Sequence, residues 1–167
     1  MLFRSVNHRK VGTGSVVNAG GVRDSLLPGK LTYKDVLKVH PFGNTIVTVD
    51  LTGAEVLDYL GAVAKMSTGS GAFAQFAGVS LAIENGLVKT ASIRGQPLDA
   101  GKTYRMAVNN FVASGGDGYP KLVAHKSFVD TGFVDADLLR AFIADKSPLR
   151  VADYAPGDAV TRRPAGR

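Results

Sequence analysis

Between Thr45 and Leu51 the chain reads T-I-V-T-V-D-L, and the next four residues read T-G-A-E. Side chains alternate along a strand, so Val47, Val49 and Leu51 share one face and Ile46, Thr48 and Asp50 the other. Thr52 and Glu55 stand at the spacing of a capping box, where each side chain satisfies a backbone N–H of the other. Behind them Val56, Leu57, Leu60, Val63 and Ala64 recur at the period of a helix buried on one side, which predicts a helix to about Met66. A strand that runs straight into a capped helix belongs to a mixed α/β architecture.

The rest of the chain extends this reading. Ser15-Val16-Val17 is a short apolar run that stops at Asn18-Ala19-Gly20-Gly21, the pattern of a buried strand ending in a glycine loop. Thr32 and Asp35 open a helix with Val36, Leu37 and Val39 on its apolar face, and Pro41 stops it. Three further strands are expected at Val79 to Ile83, Val88 to Ile93 and Tyr104 to Asn109. Asn85-Gly86 forms a hairpin turn between the first two, and Gln96-Pro97 and Gly101 mark the next turn. Val134, Leu138, Leu139, Phe142 and Ile143 make the inner stripe of a last helix. From Pro148 onward no period is visible, and residues 161–167 are expected to fray. With no internal repeat and no linker, residues 1–160 are expected to form one domain.

Composition narrows the functions available. Of 167 residues, 45% are hydrophobic and 20% charged, the balance of a folded globule rather than a disordered chain. No run approaches the ~18 apolar residues that span a bilayer. Met1 to Lys10 carries Arg4, Arg9 and Lys10 without an apolar stretch and is not a secretory signal. The absence of cysteine excludes disulfides, zinc–thiolate sites and a cysteine nucleophile from this chain. The net charge of +6 is dispersed, densest at Arg4 to Lys10 and at Arg162, Arg163 and Arg167, which favours a solvated basic surface over a nucleic-acid face. His8, His40 and His125 are isolated, and Ser15, Ser25 and Ser114 do not sit in a nucleophile elbow. No complete catalytic centre is expected.

Three segments carry chemistry. Asn18 to Asp24 (N-A-G-G-V-R-D) places glycine N–H groups and the forked cation of Arg23 at a strand end, an arrangement suited to an anion, although a plain turn has the same pattern. His40 to Asn44 (H-P-F-G-N) holds Phe42 in a tight turn, either as a core plug or as a ligand contact. Asn110 to Tyr119 (N-F-V-A-S-G-G-D-G-Y) puts three glycines and Asp117 just past a strand, either as an ordinary loop or as a carboxylate aimed at hydroxyls.

In this order the three segments resemble the C-terminal domain of the 5'-nucleotidase family, in particular its bacterial periplasmic UDP-sugar hydrolase/5'-nucleotidase branch. The similarity runs through Val16 to Leu26, Tyr33 to Asn44, Lys102 to Ala107, Asn110 to Pro120 and Thr131 to Ala136, with Ser147 to Leu149 and Tyr154 to Pro156 beyond. The resemblance implies mixed β-sheets covered by helices in a four-layer α/β/β/α order. It implies that Phe42 and Phe111 sandwich a base and that Asn44 bonds the base edge. Asp117 would accept from ribose hydroxyls, Arg23 would face phosphate, and Asn18 and Gly20 would line the pocket. It further implies a hydrolase whose two divalent metals, catalytic dyad and additional substrate arginines lie in sequence that precedes Met1, in an N-terminal metallophosphatase domain. This chain would hold no metal or other cofactor and be inactive alone. The expected partners are nucleotides, nucleosides or UDP-sugars and that N-terminal domain, with no nucleic acid and no membrane, in the periplasm. A free-standing nucleotide-binding module is the alternative.

Overall fold

The computed structural model describes residues 12–154 and 160–163. Strand β1 (Gly14–Asn18) leads through a short 3-10 turn at Ala19–Gly21 to helix α1 (Tyr33–Val39). Then follow β2 (Thr45–Thr52), α2 (Gly53–Val63), β3 (Ala74–Ala77), β4 (Val79–Glu84), β5 (Leu87–Ile93), β6 (Gln96–Pro97) and β7 (Thr103–Asn109). The chain continues with a one-turn helix α3 (Asn110–Ala113), β8 (Val129–Val134), α4 (Asp135–Lys146) and β9 (Val160–Arg163). One mixed sheet has the order β3-β1-β7-β2-β8 and a second the order β6-β5-β4-β9. Within them β1 runs parallel to β7, and β4 parallel to β9.

The alternation in β2 sets the layering. Val47, Val49 and Leu51 join Val16, Met106 and Val108 in a core shared with Val56, Leu60 and Val63 of α2 and with Val79, Leu81, Ile83 and Ile93 of the second sheet. On the other face of the first sheet, Ile46 and Ala107 pack against Val36 and Val39 of α1 and Leu138 and Leu139 of α4. The expectation of mixed sheets covered by helices holds. The capping box forms as the spacing requires: the Thr52 N–H and hydroxyl both donate to Glu55 Oε2 at 2.8 Å, and Thr52 Oγ accepts from the Glu55 N–H at 3.3 Å. The Asn85-Gly86 turn takes positive φ at both residues (54° and 73°), the geometry that matches strand twist in a two-residue hairpin.

The C-terminal stretch departs from the sequence reading. Thr161, Arg162 and Arg163 do not fray but pair in parallel with Ala82, Ile83 and Glu84. The Arg162 guanidinium lies over the Phe73 ring at 5.2 Å and donates to the Ala64 carbonyl at 2.8 Å, contacts that no local pattern announces. Residues 164–167 lie outside the described residues, as do Arg4, His8, Arg9 and Lys10.

Candidate functional site

Pairing registers bring distant loops to one edge of the five-stranded sheet. Ser15 is aligned with Ala107 in parallel, Ile46 with Asn109, Asn18 with Ala74, and Thr45 with Val134. The ends of β1 and β7 and the starts of β2, β3 and α4 therefore meet at the same side. This side is the carboxyl edge of the parallel pair β1 and β7, where open α/β sheets place ligands. Every residue singled out from the sequence lies in a segment at this edge.

A relay of amides braces the acidic member. Asn109, buried at the end of β7, accepts from the Val112 N–H at 2.7 Å and so caps α3. Its NH2 donates to Asn18 Oδ1 at 3.2 Å, and the Asn18 NH2 donates to Asp117 Oδ2 at 2.8 Å. Asp117 is exposed and holds φ of +56°, between Gly115 at +92° and Gly118 at +81°. The left-handed region is costly for most residues and mild for aspartate. Three such residues in four turn the loop back on itself, and the Asn18 bond fixes the carboxylate's position. Asn18 thus acts as a brace for Asp117 as well as a wall residue. Asn109 is absent from the sequence-derived set, and its signal, a polar residue ending an apolar strand, is visible only in retrospect.

The glycine loop packs backbone on backbone. The Gly20 N–H donates to the Gly71 carbonyl at 2.7 Å and the Ala19 N–H to the Phe73 carbonyl at 2.8 Å. A Cβ on Gly20 would meet the Gly71 carbonyl at 3.2 Å. The Gly71 and Phe73 carbonyls therefore form part of this wall. Arg23 is exposed, with its main chain held by the Val39 carbonyl at 3.0 Å and its guanidinium only 3.5 Å from the Gly20 carbonyl. Its other donors meet no partner among the described residues, as an anion-binding cation requires.

Both phenylalanines are surface residues. Phe42 is 59% exposed and Phe111 44% exposed, which removes the core-plug alternative. The Phe111 ring lies on Gly116, where an added Cβ would stand 2.5 Å from two ring carbons, so the glycine is required for the ring to lie down on the loop. Asn44 is half-buried and engaged: its carbonyl accepts from the Asp135 N–H at 2.9 Å and its side-chain amide donates to the Asp135 carboxylate.

Other polar clusters serve the fold. His125 Nδ1 lies 2.8 Å from Ser127 Oγ, and its Nε2 lies 3.5 Å from Glu55, a set that resembles a nucleophilic triad in composition. Ser127 Oγ, however, accepts from the Asp50 N–H at 2.8 Å and donates to the Asp50 carbonyl at 3.0 Å, so its hydroxyl proton is committed to the backbone of β2. Among the described residues no three His, Asp or Glu side chains gather as a metal-ligand group. No described helix is long and apolar enough to cross a membrane. A groove of about 640 Å³ between Leu26–Tyr33, Arg140–Ala144 and Ser147–Val151 contains none of the expected site residues.

These features define a class: a mixed α/β domain that presents exposed aromatic rings, a braced carboxylate and an exposed guanidinium from loops at one sheet edge. The sequence pattern of the 5'-nucleotidase C-terminal domain matches residues 2–124, and the chain belongs to that family. It is 51% identical over 147 residues to Protein UshA of Escherichia coli K12, covering 88% of this chain and 27% of the relative. It is 50% identical over 146 residues to a 5'-nucleotidase of Vibrio vulnificus, covering 87% and 26%. Among solved structures it superposes on the NAD nucleotidase of Haemophilus influenzae with a TM-score of 0.81 at 27% identity, covering 99% of this chain and 32% of the other. The 5'-nucleotidase precursor of Thermus thermophilus gives 0.78 at 29% identity, covering 96% and 34%. The chain spans about a quarter of the length of these sequence relatives.

Proposed function

We propose that this chain holds the nucleoside part of a nucleotide while a separate two-metal domain hydrolyses its phosphoester. The observation that carries the reading is the pair of exposed rings, Phe42 and Phe111, on loops at the same sheet edge as the braced Asp117. Stacking on aromatic rings is worth ~1–3 kcal/mol per base and tolerates any base, since each has a π-face. Asp117 accepts from the ribose 2'- and 3'-hydroxyls, Arg23 takes a phosphate oxygen, and Asn44 meets the base edge. Binding energy gathered far from the scissile bond is used to orient the phosphate. The metals expected of such an enzyme would supply an activated water and charge stabilisation. The described residues offer no ligand set for such metals, which is consistent with a metal site in the separate domain. The resemblance to the UDP-sugar hydrolase branch supports extending the proposal to UDP-sugars as ligands, to a periplasmic compartment and to residues 1–160 as the domain.

Phe42→Ala and Phe111→Ala test the reading. Each should weaken adenosine binding by ~1–3 kcal/mol in a calorimetric titration. Each should cost far less stability than the ~3–5 kcal/mol of a lost core phenylalanine. Adenosine affinity equal to the parent's in both variants would remove the clamp from this site.

A further inference from the structure

Behind the Phe42 turn lies a buried polar knot. His40 ends α1 and is 2% exposed, and a ring N–H donates to the Gly21 carbonyl of the glycine loop. Its Nδ1 lies 3.7 Å from Oδ2 of Asp135, itself 2% exposed at the start of α4. The Asp135 carboxylate accepts from the Ala136 N–H at 2.7 Å and from the Asn44 side-chain amide, while the Asp135 N–H donates to the Asn44 carbonyl. One carboxylate therefore grips Asn44 at its side chain while its own main chain grips Asn44 at the carbonyl. Through His40 the same knot touches the loop that carries Gly20 and Arg23.

A buried carboxylate without a full ionic partner is expensive. Burial pushes Asp135 up to about 6 from an ordinary value of 3.8, and burial pushes His40 down. Among the described residues, the other charged or titratable groups on the surrounding elements make their hydrogen bonds and ring contacts elsewhere, although Tyr33 still feels the Asp135 charge. Tyr33 at the start of α1 donates to Asp137 on α4, Arg140 lies over Tyr33, and Asp130 of β8 accepts from Thr45. Asp135 is the first residue of α4, whose N-cap position is Val134 with no side-chain cap bond, so the carboxylate does not serve as the helix cap.

We propose that Asp135, with His40, is a positioning residue for the base-binding turn, fixing Asn44 and with it the aim of Phe42. This rests on the nucleoside reading of the site for its purpose but not for its geometry. Asp135→Asn keeps the size and the bond to Ala136, puts an NH2 group where Oδ2 faces His40, and removes the charge that holds the knot together. The folded pKa of Asp135 lies above its unfolded value. Its stabilisation is therefore present below about pH 4 and lost as pH rises through about 6, a loss the asparagine escapes.

The experiment compares the full chain with its Asp135→Asn variant at pH 7.5 by thermal melting, by hydrogen exchange of peptides spanning 42–45 and 138–146, and by adenosine titration. The expected variant melts no lower than the parent and exchanges about tenfold faster across 42–45 alone, and it binds adenosine about tenfold more weakly. Unchanged exchange at 42–45 overturns the proposal. So does faster exchange spread over α4 with a lower melting temperature, which marks a residue of the fold. Absence of adenosine binding by the parent removes the nucleoside reading and leaves the exchange result to decide positioning. Should Asp135→Asn fail to fold, Asn44→Ala cuts the same link from the other end, with the same exchange expected.

Discussion

Asp117 shows how much one residue depends on its neighbours at this site. Its backbone sits in the left-handed region, its side chain is exposed, and a single amide from Asn18, itself held by Asn109, fixes its carboxylate. Such a group is preorganised to accept hydroxyl protons without moving. Asp117→Ala should weaken adenosine binding by ~1.5–3 kcal/mol, the range for hydrogen bonds to a charged group, and leave a 2',3'-dideoxyadenosine control nearly unchanged. Equal losses for the two ligands in parallel calorimetric titrations would mean that the loop itself had collapsed. Asn18, Gly20, Arg23, Phe42, Phe111 and Asp117 are reachable from the sequence through the family resemblance, since by pattern alone each also fits an ordinary turn, loop or core plug. Asn109, Gly71 and Asp135 are not, because each acts through a bond to a residue far away in sequence.

At the scale of elements, legibility divides sharply between the middle and the margins of the sheets. The inner strands β1, β7 and β2 of one sheet and β5 and β4 of the other all stand where the apolar patterns place them. The edge strands β3, β6, β8 and β9 carry no such pattern, and Gln96-Pro97 reads as a turn. The reason is physical. An inner strand must be apolar on the face it buries, whereas an edge strand is free to be polar, to contain Gly132 at φ of +67°, or to carry arginines. The Thr52–Glu55 box is the opposite case, a local device whose spacing and hydrogen bonds agree. Thr52→Ala should lower unfolding free energy by about 1 kcal/mol in a denaturant titration. Adenosine affinity should stay unchanged, since α2 packs in the core away from the site edge.

For the whole molecule, the decisive facts are the shared core and the one sheet edge at which the candidate site residues gather. Two sheets and α2 bury one another, α1 and α4 cover the remaining face, and the loops of five elements are left together at one side. That arrangement suits the proposed binding and orienting role, and among the described residues no group of side chains gathers as a metal-ligand set. The purified chain should therefore release no phosphate from AMP with manganese, cobalt or calcium added, as read by a phosphate assay across several column fractions. Turnover that follows the protein through purification would overturn this.

The amino-acid sequence alone determined the mixed α/β class, the inner strands, the capped helices and the three loops that carry the candidate site residues. These follow from periodicity, glycine and proline placement and capping, all of which act within a few residues. Tertiary structure alone decided which strands close the sheets, that both phenylalanines stand in solvent, that Asn18 braces Asp117, and that Asn44 is gripped by a buried Asp135. Those outcomes depend on contacts between residues up to 99 positions apart in the chain, and only the packed sheet brings such partners within hydrogen-bonding reach.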